Sequence, residues 1–249
     1  MSSGPARARV RAKTIAALFT LAIACAFPAT AAPGADVVAA SGKLTDEDFY
    51  RLVSCAAPPG GACARPALRW KPTARSSRAR RIDPVYVGRQ RPRAEAALTR
   101  AIGELNAAGA RFRLSRVPNH HDRAEIVVYF LDLAPDTVID GTGLGWVDGV
   151  AIDEVATLIA VDPEQTRILA AAIVVTTGLE TKSFEAAILT ALTRAMGLAT
   201  EIDAPAYDGL SVLAHGSTAA TRLGPQDLVA LRQLYAAPPA MTGDNRCPT

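Results

Sequence analysis

Apolar residues recur with a helical period in four parts of the chain and form strand-like runs between them. The helical segments are residues 44–53, 93–108, 183–196 and 225–234. The strand-like segments are residues 85–87, 112–114, 125–133, 156–161 and 168–176. Helices and strands are partly segregated along the chain, so this order predicts an α+β fold.

Polar residues and glycines indicate where these helices begin and end. Thr45 precedes three acidic residues and an apolar face, which is typical of an N-cap. Ser183 is expected to cap the third helix in the same way. Gly109 and Gly197 follow the second and third helices and are suited to ending them.

Three segments between these elements are predicted to be loops. Residues 73–81 (TARSSRARR) are basic and rich in turn formers. Residues 200–222 form a long polar connection. Residues 141–149 (GTGLGWVDG) are rich in glycine, but a strand-like segment follows them, and the dinucleotide-binding motif requires a helix there. We expect no bound nucleotide and no other cofactor.

The first 31 residues have the organisation of a secretory signal peptide. Four basic residues precede the apolar stretch 14–27, and Ala29-Thr30-Ala31 fits the small-x-small cleavage rule. The apolar stretch is shorter than the roughly 20 residues that span a bilayer. We expect cleavage after Ala31 and export to the periplasm or the extracellular space. Lipidation at Cys25 is the weaker alternative, because Ala22 stands where a lipobox usually has Leu.

Charge is distributed unevenly along the expected mature chain. Residues 43–123 contain 17 Lys or Arg and 7 Asp or Glu, whereas residues 124–249 contain 6 and 16. A basic half can bind nucleic acid or anionic lipid. The basic stretch 73–81 contains no aromatic residue to stack on bases. About 218 residues suit one domain, so we expect the two halves to face each other and expect no nucleic-acid partner.

The cysteines agree with export. Cys55 and Cys63 flank a short loop, and an oxidising compartment permits a bridge between them, worth about 2.5 kcal/mol in the chain-entropy model. We predict this bridge with Cys247 free, while pairing of Cys247 with either partner stays open.

The expected organisation of the chain is a signal peptide (1–31), a flexible N-terminus (32–42), an N-terminal segment (43–83), a core (84–237) and a tail (238–249).

The stretch TALTRAMGLAT, residues 190–200, resembles the active-site helix of the zincin proteases. In that motif, H-E-x-x-H places two histidine ligands on one helix face, with the glutamate as general base. The extended form adds a glycine and a third histidine. Gly197 fixes the register, which places the zinc ligands at Thr190, Arg194 and Thr200 and the base at Ala191.

The resemblance continues after the helix. Ser211-Val212-Leu213 resembles the S-I-M of the methionine turn, with Leu213 in place of methionine. Residues 223–235 (LGPQDLVALRQLY) resemble the closing helix of matrixin-type metzincins. Residues 48–235 also resemble a family of uncharacterised exported bacterial proteins that have Glu-Glu-x-x-Gln in place of the zincin motif. This chain departs from that pattern too. The resemblance implies a zincin-like mixed sheet, with a helix before it and the active-site-type helix and a C-terminal helix after it.

The residue types at these positions do not suit zinc. A threonine hydroxyl is a poor zinc ligand, and an alanine cannot act as a base. The guanidinium of Arg194 stays charged, and a unit charge about 4 Å from a divalent ion costs about 8 kcal/mol at an effective dielectric of 20. We therefore expect no zinc peptidase activity. We expect Arg194 to pair with a ligand carboxylate or, more simply, with Glu201, Asp203 or Asp208.

The expected function is binding of a peptide or protein in the cleft that an active relative would use for substrate. Two other classes of function stay open. One is a metal-dependent hydrolase with a site built on His120, His121 and His215, and the other is a structural envelope protein. A serine hydrolase is not favoured, because no G-x-S-x-G turn precedes Ser211 or Ser217.

Overall fold

The structure, a computed structural model, confirms the α+β class. It describes residues 36–70, 79–86, 91–117, 124–134, 136–176, 178–216 and 219–236. The helices of this part are α1 Asp46–Cys55, α2 Arg91–Ala107, α3 Thr181–Ala195 and α4 Pro225–Leu234. The strands are β1 Val37–Ala39, β2 Arg69–Trp70, β3 Ala79–Tyr86, β4 Arg113–Arg116, β5 Ile126–Leu131, β6 Thr137–Val138, β7 Ala151–Ile152, β8 Val155–Val161, β9 Arg167–Thr176 and β10 Glu201–Asp203. None of the described helices is both long and apolar enough to cross a membrane.

Six strands form the main sheet. β3 lies between β4 and β5 and is parallel to both. β5 is parallel to β9, and β2 pairs in parallel with the first residues of β9. β8 pairs with β9 in the antiparallel direction. Among the described strands, the short strand β2 and the longer strands β4 and β8 each pair with one neighbour only and are therefore edge strands.

The two faces of the sheet are covered by two apolar cores. Helices α2 and α3 lie on one face and contact each other, and the residues of β5 and β9 that alternate toward them include Val128 and Ile173. The segment 132–154, with the small β6–β7 sheet, covers Tyr129 and Val174 on the other face. Burial on both faces explains why β5 and β9 have continuous apolar sequences.

The C-terminal part packs against the N-terminal segment. α4 contacts α1, and β10 pairs in parallel with β1. Helix α3 packs against the main sheet, where it contacts both β8 and β9. The helix predicted at 225–234 has those bounds in the structure.

The predicted helix ends are partly confirmed. The Thr45 side chain accepts a hydrogen bond from the Asp48 N–H at 3.1 Å, as expected for an N-cap. Ser183 does not cap α3, so that prediction is wrong. The helix begins at Thr181 after Glu180, which makes no side-chain cap. Ser183 lies inside the first turn and is buried, so apolar packing sets the helix start rather than a hydroxyl cap.

Three predictions about irregular segments need correction. Residues 79–81 of the predicted basic loop belong to β3, because pairing with the parallel strand β4 outweighs their arginine-rich composition. Residues 37–39 of the expected flexible N-terminus form β1, so the ordered chain begins before Lys43. The connection 200–222 is not uniformly polar. It contains β10 and a turn in which residues 211–214 are buried.

Candidate functional site

The C-terminal end of α3 is held by contacts that only a glycine allows. Gly197 has a φ of +104°, and a Cβ at this position would lie 2.1 Å from the carbonyl oxygen of Leu68. The indole Nε1 of Trp70 donates to the carbonyl oxygen of Ala195 at 3.0 Å, and the hydroxyl of Tyr235 donates to the next carbonyl at 2.6 Å. These bonds satisfy carbonyls that a helix end leaves unpaired and fix the direction in which the chain leaves α3.

A buried carboxylate holds the segment that resembles the methionine turn. Asp227, in the first turn of α4, accepts hydrogen bonds from the Ser211 hydroxyl at 2.6 Å, the Val212 N–H at 3.0 Å and the Gly224 N–H at 2.8 Å. Burial raises the pKa of the Asp227 carboxyl, and these three hydrogen bonds oppose that rise. Leu213, at the methionine position, is fully buried.

Thr190 and Ala191, the positions of the first ligand and the base, face internal partners. The Thr190 hydroxyl donates to the carbonyl oxygen of Val212 at 2.8 Å, which joins α3 to the 211–213 turn. Ala191 is buried in the core that α3 shares with the sheet. Neither side chain presents a basic or anionic group.

Arg194 pairs with Glu201, which confirms the prediction that this arginine has a carboxylate partner. A guanidinium nitrogen of Arg194 lies 3.2 Å from Glu201 Oε1, and the two side chains are 14% and 16% exposed. Burial lowers the pKa of the Arg194 guanidinium, while the Glu201 charge raises it. An arginine begins so far above neutrality that the group stays charged at neutral pH. Its Nε is buried and has no hydrogen-bond partner among the described residues.

Glu201 also contacts His215. The other carboxylate oxygen of Glu201 lies 2.7 Å from His215 Nδ1, and the His215 side chain is half-exposed. The backbone sets this contact, because the His215 N–H donates to the carbonyl oxygen of Ile202 at 2.9 Å. Glu201 therefore bridges a buried arginine and an exposed imidazole.

Arg65 belongs to the same cluster, although no sequence pattern predicts it there. It donates to the Thr200 hydroxyl at 2.8 Å, and its Nε lies 3.1 Å from Asp36 Oδ2. Thr200, the third ligand position, is fully buried. We call Asp36, Arg65, Arg194, Glu201 and His215 the charged cluster. A local sequence signal for Asp36 and Arg65 is lacking, since they come from segments more than 120 residues before Arg194.

The predicted disulfide between Cys55 and Cys63 is present, with a Cα–Cα distance of 5.2 Å. The Cys55 carbonyl oxygen accepts hydrogen bonds from the Ala64 and Arg65 N–H groups at 3.0 and 3.3 Å. The bridge therefore lies next to the residue that reaches Thr200. Cys25 and Cys247 lie outside the described residues, so the expectations for them stay predictions.

The groups at the three ligand positions do not form a zinc site. The Thr190 hydroxyl proton is donated to a carbonyl oxygen, the Thr200 hydroxyl accepts from a guanidinium, and Arg194 brings a positive charge. None supplies an imidazole, a thiolate or a carboxylate. Within the described ranges, no group of three or more His, Cys, Asp or Glu could hold a metal ion.

The other candidate residues are placed only in part. His120, His121 and Ser217 lie outside the described residues. The hydrogen bond of Ser211 goes to Asp227, whereas that of His215 goes to Glu201, so the structure does not join the serine to the histidine.

No protein-family model matches the chain, and no curated protein has a matching sequence. The family resemblance therefore rests on the motifs and on the arrangement described above.

Proposed function

We propose that this is an exported, non-catalytic protein with a degenerate zincin-like core that binds an extended peptide or protein segment beside α3. One observation carries the proposal. The polar groups at the three predicted ligand positions are each bonded to another residue of the protein, while the strand β8 next to α3 has an edge that pairs with no described strand.

The arrangement around α3 supports the zincin-like comparison. A zincin-type helix should end at a turning glycine, with a methionine-type turn beside it and a closing helix afterwards. Gly197 has the positive φ of such a turn, and Thr190 contacts the 211–213 segment. Asp227 and Tyr235 of the closing segment hold that turn and the end of α3. Three separate pieces of sequence resemblance thus meet at one helix.

The chemistry of the same positions supports a non-catalytic role. Zinc peptidases need a metal-bound water and a general base to take its proton. Ala191 has no proton acceptor, and Arg194 would repel a divalent cation. The Arg194 charge is already compensated by Glu201 at 3.2 Å. These groups are arranged to stabilise each other rather than to bind a metal.

The edge of β8 is the surface on which an extended segment can add. Its sequence, VATLIAV, contains no charged residue and no proline, and five of its seven residues are partly exposed. An edge strand of this kind is open to pairing with another chain. The opposite edge differs, because Arg113 and Arg116 of β4 are exposed charged residues that discourage pairing.

The disulfide supports the expectation of export. Bridges persist in oxidising compartments such as the periplasm and are rare where thiols are kept reduced. Cys63 is exposed, so a reducing compartment would have access to its sulfur. Together with the signal-peptide pattern of the first 31 residues, this favours function outside the cytoplasm.

Hydrogen exchange tests the proposed binding surface. The purified protein is incubated with a library of extended nine-residue peptides, and the binders are measured individually. We expect binders that slow exchange of β8 amides and leave α4 amides unchanged, with no peptide hydrolysis. Protection confined to another surface, or cleavage of the peptides by the purified protein, would overturn the proposal.

One observation favours the alternative of a metal-dependent hydrolase that uses His215. Histidine ligands commonly have one ring nitrogen bonded to a carboxylate, as His215 Nδ1 is to Glu201, which leaves Nε2 for a metal. The measurement is the metal content of the purified protein and of the His120→Ala, His121→Ala and His215→Ala variants. A stoichiometric metal that each substitution removes would favour this alternative over the binding function.

A further inference from the structure

The segment of the chain that contains β8 carries an excess of negative charge. Residues 124–176 contain nine Asp or Glu, and Arg167 is their single basic residue. Asp153 and Glu154 directly precede β8, and Glu164 lies in the turn that follows it. All three side chains belong to exposed residues. β8 therefore has an uncharged middle and an acidic group at each end.

These flanking acids are not neutralised within the described part of the protein. Asp153, Glu154 and Glu164 make no salt bridge to any described residue. The basic residues of the chain are concentrated before position 124, and several pair elsewhere. Arg100, for example, pairs with Glu185 of α3. Unpaired charges of one sign around a surface attract a partner of the opposite sign and repel others.

We infer that the segment bound at β8 has an apolar, strand-forming middle and basic residues at both ends. This inference rests on the proposed binding function. The backbone of the segment pairs with the β8 edge, and its Lys or Arg side chains approach Asp153 and Glu154 at one end and Glu164 at the other. Seven residues of strand span about 24 Å, so the basic groups are separated by about seven residues.

The same charges argue against two other occupants. A nucleic acid would be repelled by the acids around β8. A second copy of this chain could offer β4, which has arginines at both of its ends, but those arginines are only three positions apart. They can reach one end of β8 and not both. The separation of the charges therefore favours a partner protein over self-association.

Two synthetic peptides test the inference on the whole protein. Both have five alternating Thr and Val residues, and one has two Lys at each end while the other has two Glu. Fluorescence anisotropy should give a dissociation constant at least about tenfold lower for the Lys peptide at low salt, since several rim charge pairs contribute. The difference should shrink at high salt, because these charges are exposed.

A matched pair of variants locates the effect. Asp153→Asn, Glu154→Gln and Glu164→Gln together should remove most of the preference for the Lys peptide. The control combines Glu104→Gln, Asp203→Asn and Asp208→Asn, which removes three charges outside residues 124–176 and should leave the preference intact. If both variants lose the preference for the Lys peptide to the same extent, the effect is a general one of net charge and the inference is overturned.

The remaining outcomes separate the inference from the function on which it rests. If both peptides bind β8 equally well, the charge inference is wrong and the binding function stands. If neither peptide nor any library member binds, the proposed function fails and the inference fails with it. Concentration-dependent dimers in sedimentation velocity, lost in the Arg113→Ser, Arg116→Ser variant, would identify a second copy as the occupant and also overturn the inference.

Discussion

The end of α3 and the predicted ligand positions on and just after that helix are held in different ways. At the helix end, Gly197 leaves no room for a side chain, and Trp70 and Tyr235 bond the last carbonyls. At the ligand positions, Arg194 and Thr200 are held by partners from distant segments, Glu201 and Arg65. The first region depends on close backbone contact and the second on paired polar groups.

This difference separates the requirements of shape from those of chemistry. The helix end and the 211–213 turn are fixed by buried groups with one geometrically possible arrangement. The charged cluster requires only that each charged side chain lies close to a group of opposite charge. Under the proposal of a degenerate zincin-like core, the shape of the helix can therefore be retained while the predicted ligand positions hold residues that do not bind metal. Substitutions in the first region should accordingly have larger effects on stability than those in the second.

The largest effect is expected for Gly197→Ala. The new Cβ would meet the Leu68 carbonyl, and a non-glycine residue would be forced to a positive φ. Strain and overpacking together should lower the free energy of unfolding by about 4 kcal/mol. Urea denaturation followed by circular dichroism measures the loss.

Gly103→Ala is the control for that substitution. Gly103 lies within α2, and a Cβ added at this position would meet no atom of a neighbouring element within 4 Å. Alanine there should raise the stability by about 0.5–1 kcal/mol through helix propensity. Similar losses for the two variants would mean that the close contact at Leu68 is not what requires glycine at the helix end.

Asp227→Ala should have the next largest effect. The substitution leaves the Ser211 hydroxyl and the Val212 and Gly224 N–H groups without their acceptor, so we expect a loss of about 3 kcal/mol. Asp227→Asn retains an oxygen for the two N–H groups and should lose about 1 kcal/mol. Equal stability of Asp227→Ala and the parent would show that this carboxylate does not hold the turn.

The pH dependence of the Asn variant gives a separate measurement. The pKa of Asp227 is raised in the folded protein, so its favourable contribution is fully present below the unfolded pKa of about 3.9. That contribution is lost as the pH rises through the folded pKa. The stability difference between the parent and Asp227→Asn should therefore narrow from pH 4 upward. A widening difference would show that hydrogen bonds outweigh burial.

Arg194→Ala should have a smaller effect, about 2 kcal/mol, because it leaves the mostly buried Glu201 without its guanidinium partner. Arg100→Ala provides the matched control. Arg100 and Glu185 form an ion pair whose side chains are 63% and 38% exposed, and its loss should change the stability by less than about 1 kcal/mol. Thermal unfolding of both variants compares them. A larger loss for Arg100→Ala would contradict the importance of burial in the charged cluster.

Local sequence patterns were sufficient to predict the elements that are determined by residues close together in the sequence. α4 begins at Pro225 and ends at Leu234, as its apolar period and N-terminal proline indicate. The face predicted for α2, which includes Leu98, Ile102 and Leu105, is buried. The Cys55–Cys63 bridge follows from the short loop between the two residues. In each case the partners are close in sequence or share one helix.

The wrong predictions concern residues whose partners are distant in sequence. Residues 79–81 form a strand because β4 pairs with them, although their own composition resembles a loop. Residues 201–203 form β10 because β1 lies beside them, more than 160 positions away in the chain. That same pairing brings Asp36 next to Glu201, whose N–H donates to the Asp36 carbonyl oxygen, and Asp36 pairs with Arg65. The charged cluster is assembled from three such segments, so no single segment contains a sequence pattern that predicts it.

Zinc binding by a designed variant tests the central claim, that residues 190–200 retain the shape of a zincin helix without its ligands. The variant combines Thr190→His, Ala191→Glu, Arg194→His and Thr200→His, and a second variant lacks only Thr200→His. Calorimetric titration should show one zinc ion bound by the four-residue variant with about micromolar or tighter affinity, weaker binding by the second variant, and none by the parent. If the four-residue variant folds like the parent but binds zinc no more tightly, the register is wrong and this stretch is an ordinary core helix that ends at a glycine.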